Sequence, residues 1–133
     1  VMPKQQLLHQ MSLYRRLLQQ VPYHPNISFA EGEASDWLQH AERLQKVQIE
    51  QDNFGTLVRF APHDQVLMSY YRSNISHLFM IPAIMATALL RQPASAAQLQ
   101  QLGRQLQPLL EQELFLAPQQ LDLYVAGILL FLQ

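Results

Sequence analysis

The sequence contains no cysteine. A disulfide framework, a thiol nucleophile and a thiolate metal site are therefore excluded. The absence fits a cytosolic setting, where thiols stay reduced. Only four glycines occur, and none belongs to a phosphate-cradling loop. Serines are present, but no G-x-S-x-G nucleophile elbow surrounds them. Charge is also scarce. Nine Lys and Arg stand against ten Asp and Glu, 14% of the chain together, for a formal net charge of −1. The basic footprint of a nucleic-acid binder is missing, and no block of like charges marks an interaction tail. Arg15, Arg16 and Arg104 are scattered, so the helical pattern does not read as a DNA-binding helix-turn-helix.

No hydrophobic run is long enough for a simple membrane span. Ile75 to Leu90 comes nearest, but it contains His77 and Pro82 and is bracketed by Arg72 and Arg91. Its sixteen residues fall short of the roughly 20 needed to cross the hydrocarbon core, so it reads as a buried core helix.

What is present is a 133-residue chain that is 49% apolar, enough for one domain with a real core. Leu7, Leu8, Met11, Tyr14, Leu17, Leu18 and Val21 recur at helical spacing, predicting an amphipathic helix over 4–20. Val21 to Gly32, with two prolines, reads as a loop. Ala34, Trp37, Leu38, Ala41 and Leu44 mark a second helix over 34–45. Val47 and Ile49 alternate with polar residues, Asp52 to Gly55 supplies a turn, and Thr56 to Phe60 is β-prone. These predict a small β-hairpin over 46–60.

A long helix is expected from Pro62 and Asp64, interrupted or kinked at Pro82, which lacks the N–H that would bond back to Leu78. Ser95 and Gln98 have capping-box spacing. The helix they open carries Leu99, Leu102, Leu106, Leu109 and Leu110, with a kink at Pro108. A last helix is expected to start at Pro118. The predicted fold is mainly α, about five helices with one small hairpin. The opening Val1-Met2-Pro3 and the apolar stretch Val125 to Leu132 lead us to expect that both ends are cuts in a longer chain.

None of His9, His24, His40 and His63 has a histidine or carboxylate three or four residues on in a metal-binding arrangement. His63 and Asp64 are adjacent, and adjacent helical residues are expected to diverge. No metal or cofactor is predicted. The densest polar information is Ser69 to His77. Tyr70, Asn74 and His77, at i, i+4 and i+7, fall on one helix face, with Arg72 expected between the Tyr70 and Asn74 directions. Such a stripe in an apolar helix must satisfy its hydrogen bonds. Tyr70, Tyr71, Arg72, Asn74 and His77 are therefore candidates for a buried polar network or a domain interface, with a ligand or active-site contribution as the alternative.

Two stretches together carry a family resemblance. They are Val47-Gln48-Ile49-Glu50-Gln51-Asp52 and Gln65 to Leu78, which reads QVLMSYYRSNISHL and is followed by Ile81-Pro82. They resemble the bacterial membrane-bound glycerol-3-phosphate acyltransferases, in the region C-terminal to the acyltransferase domain. Val21-Pro22-Tyr23 and Glu113-Leu114-Phe115-Leu116 fit in the same order, so the likeness covers most of the chain. The family commonly has Asn where Ser73 stands here.

The resemblance implies a longer protein that transfers a fatty acyl group from acyl-CoA or acyl carrier protein to the sn-1 hydroxyl of glycerol 3-phosphate. The reaction is placed at the cytoplasmic face of the bacterial inner membrane. It also implies a His-x-x-x-x-Asp pair for base catalysis and an F-P-E-G block for phosphate. Neither is here. Five places after His9, His24, His40, His63 and His77 stand Tyr14, Phe29, Gln45, Met68 and Pro82. No catalytic residue is carried over. The expected partner is the catalytic domain of the same chain. A free-standing helical interaction module is the alternative, and a membrane-surface contact a third reading.

Overall fold

The computed structural model describes residues 1–53, 55–114 and 121–132. Among them are six α-helices and one small antiparallel sheet, so the fold is mainly α. The chain divides into two compact units, Val1–Arg16 with Ser28–Asn74, and Leu17–Ile27 with Ile75–Gln133.

The first unit holds most of helix α1 (Lys4–Gln20), helix α2 (Ala34–Arg43) and the sheet. Strands β2 (Val47–Asp52) and β3 (Gly55–Phe60) form the expected hairpin, with Ile49 opposite Val58 and Asp52 opposite Gly55. Gly55 has φ of +123°, which a residue with a Cβ rarely adopts. Strand β1 (Met2–Pro3) adds to the outer edge of β3, Met2 opposite Val58. It is too short and too proline-bound to signal itself in sequence. Leu38, Val47 and Val58 are buried together under Leu7 and Leu8 of α1. Arg15 ties α1 to the start of α2. Its guanidinium donates to the Gly32 carbonyl at 2.8 Å, meets Glu33 at 3.1 Å and lies 5.2 Å from the Trp37 ring centre.

Helix α2 stops at Arg43, two residues before the predicted end. Gln45 takes φ of +57°, and the Lys46 N–H reaches back to the Ala41 carbonyl at 3.0 Å, a left-handed C-terminal stop. Beyond β3 a 3-10 turn, Pro62–Asp64, leads into helix α3 (Gln65–Ile75).

The second unit is helical. It takes the last turn of α1, helix α4 (His77–Arg91), helix α5 (Ala96–Leu114) and helix α6 (Leu121–Leu132). Ile81, Met85, Leu99, Leu121, Val125 and Ile128 are its most buried side chains. At Gly103 an added Cβ would sit 3.3 Å from Val125 Cγ2, so the glycine admits close packing of α5 on α6. The Ser95 hydroxyl and Gln98 side chain cap α5 reciprocally, at 3.3 and 2.8 Å, as their spacing predicts.

One sequence expectation is corrected. The long helix breaks at Ser76, between α3 and α4, while Pro82 sits inside α4 without ending it. Helix α5 likewise runs through Pro108. The start proposed at Pro118 lies outside the described residues, and α6 is described from Leu121. Among the described residues no single helix is long and apolar enough to cross a membrane.

Candidate interface on helix α3

Helix α3 contributes no buried residue to the fold. Val66 is 83% exposed, Tyr70 62%, Tyr71 51% and Leu67 38%. Arg72 and Asn74 are exposed as well. Within this chain, Tyr70, Tyr71, Arg72 and Asn74, four of the five side chains named from sequence as a network, are thus open to solvent. The Tyr70 and Tyr71 rings are 6.0 Å apart and tilted. Ser73 donates its hydroxyl to the Ser69 carbonyl at 3.0 Å, a local bond on the helix itself.

The break at Ser76 removes the continuous face on which Tyr70, Asn74 and His77 were expected to align. Nor does Arg72 lie between Tyr70 and Asn74, because residues two apart on a helix point away from each other. Arg72 shares a stripe with Gln65, Met68 and Ser69. With Arg59 and Phe60 at the end of β3, they line a cleft of about 580 Å³. Arg59 is occupied by Glu50 and by Gln48, the latter at 3.0 Å.

His77 is half-buried. Its ring meets Tyr23 edge-on at 5.2 Å, and Tyr23 meets Tyr124 edge-on at 6.0 Å. Burial pushes the Tyr23 phenol above its ordinary value of 10.0. Sequence reading missed Tyr23 as the partner of His77 because it follows Pro22 in an irregular segment, where no period points to it.

The remaining histidine geometry of note is His63. Its Nε2 lies 3.4 Å from Asp64 Oδ2, so the two do not diverge as expected, because Pro62–Asp64 is a 3-10 turn. Both Asp64 oxygens are nevertheless held by Lys46, at 3.0 and 3.1 Å. Among the described residues no group of three or more His, Asp or Glu could hold a metal ion. Helix α3 presents apolar side chains, two phenols and a guanidinium to solvent.

The sequence profile described as the glycerol-3-phosphate acyltransferase C-terminal region matches residues 1–133. A Haemophilus influenzae glycerol-3-phosphate acyltransferase (strain PittEE) is 40% identical over 116 residues, covering 85% of this chain and 14% of the relative. The Histophilus somni enzyme is 36% identical over 131 residues, 95% of this chain and 16% of its own length. The Shewanella denitrificans enzyme is 35% identical over 125 residues, 93% and 16% respectively. This chain thus spans about a sixth of the curated relatives it matches. No solved structure matches it. The chain belongs to the glycerol-3-phosphate acyltransferase C-terminal region family.

Proposed function

We propose that this chain is the non-catalytic C-terminal portion of a glycerol-3-phosphate acyltransferase. The longer protein transfers a fatty acyl group from acyl-CoA or acyl carrier protein to the sn-1 hydroxyl of glycerol 3-phosphate, in phospholipid synthesis. It works at the cytoplasmic face of the bacterial inner membrane. The chain packs on the catalytic part and stabilises it. The observation that carries this reading is the match of the whole chain to the family's C-terminal region, at 14–16% of the relatives' length.

The test is direct. Purified chain, incubated with acyl-CoA and glycerol 3-phosphate, should give no lysophosphatidate above background, while the longer protein turns over. Turnover by the pure 133-residue chain overturns the non-catalytic reading.

A further inference from the structure

We propose that the Val66, Leu67, Tyr70 and Tyr71 face of α3 is the seat on which the upstream, catalytic portion of the same longer protein docks. This rests on the function proposed above and names the place of contact.

The helix needs a cover. At 11 residues it is shorter than the roughly 12–15 at which isolated helices become even marginally stable in water. Tertiary packing normally makes up the difference, yet none of its side chains is buried. By helical geometry the four side chains fall within an arc of about 140°, making one apolar stripe. Arg72 points elsewhere, into the cleft beside β3. Two of the four are tyrosines, whose apolar ring and polar tip suit contact surfaces. The complementary surface is therefore apolar, with acceptors placed for two phenol hydroxyls.

The choice of occupant follows from size. The exposed strip of α3 is about 16 Å long and 10 Å wide, or roughly 160 Å². A stable interface between separate proteins buries about 800 Å² on each side, so this strip alone would not hold a second copy. A tethered partner needs far less contact, because the link makes docking intramolecular. In these relatives the polypeptide outside the matched region is more than five-sixths of the whole, since the chain covers 14–16% of them.

The test uses the full-length protein. A benzophenone amino acid replaces Val66 or Tyr70, with the exposed Gln39 of α2 as control. A mixture of heavy- and light-isotope protein is irradiated, and mass spectrometry separates links within one molecule from links between copies. Positions 66 and 70 should link within one molecule to peptides upstream of this region, and position 39 should not. Val66→Asp and Tyr70→Asp should each lower the abundance of full-length protein several-fold. Links confined to these 133 residues, links between copies, links to lipid alone, or wild-type abundance of both variants would each overturn the proposal. If separately expressed halves still assemble in that event, packing on the catalytic part survives and only its seat on α3 is lost.

Discussion

The Tyr124 hydroxyl donates to the Leu78 carbonyl at 3.4 Å, the carbonyl that Pro82 leaves without its helical partner. A proline at position i cannot supply the N–H that residue i−4 expects. Within α4 the orphaned acceptor is Leu78, and α6 brings the phenol to it. The bond is long, so its worth lies at the low end of the roughly 0.5–1.5 kcal/mol of a net intramolecular hydrogen bond. It explains how Pro82 can be buried inside a continuous helix.

This arrangement predicts an alkaline weakness. Burial, with Tyr23 nearby, pushes the Tyr124 pKa from 10.0 to about 12. Below 10 both folded and unfolded phenols are protonated and the full stabilisation is present. Between 10 and about 12 only the unfolded phenol releases its proton, so stability falls as pH rises, and it is lost above the folded value. Denaturant melts across that window should show the fall, and Tyr124→Phe should make it shallower, leaving the part due to Tyr23. An unchanged slope in the variant would rule out Tyr124 as the group responsible.

Asp64 is the buried charged side chain of the described residues, 5% exposed, and Lys46 is its partner. Lys46→Met keeps the aliphatic stem but strands the carboxylate. The cost should be about 1–3 kcal/mol, towards the lower figure because the Lys46 side chain is 40% exposed and water screens the pair. Lys46→Arg should recover most of it. Equilibrium unfolding of the two variants checks both numbers.

Gln45 predicts a gain. A non-glycine residue in the left-handed region costs roughly 1–2 kcal/mol, and φ here is +57°. Gln45→Gly should stabilise the protein by up to about 1 kcal/mol after the added chain entropy of glycine, whereas Gln45→Val should lower the melting temperature. A destabilised glycine variant would show that the Gln45 side chain contributes more than its backbone costs.

Much of the fold was legible because its signals are local. Leu7 to Leu18 carry the period of α1, the Val47 and Ile49 alternation marks β2, and Ser95 with Gln98 announces α5. What was illegible depends on distant partners. Pro82 reads as a break or a kink until the Tyr124 hydroxyl, 42 positions on, meets the carbonyl it frees. Ser76 carries no breaker signature, so the division of α3 from α4 could not be seen. Of the candidate residues, the period of Tyr70 and Asn74 was readable. Their exposure was not, because an apolar helix pattern cannot say whether its cover lies inside the chain.

The most direct measurement is reassembly. The upstream portion of the full-length acyltransferase and this 133-residue chain are expressed as separate tagged polypeptides in the same cells. The two polypeptides should copurify through either tag. Glycerol 3-phosphate acylation, weak or absent with the upstream portion alone, should return when this chain is present. An upstream portion that is as abundant and as active by itself as the intact protein, with this chain failing to copurify, would contradict the proposed packing on the catalytic part.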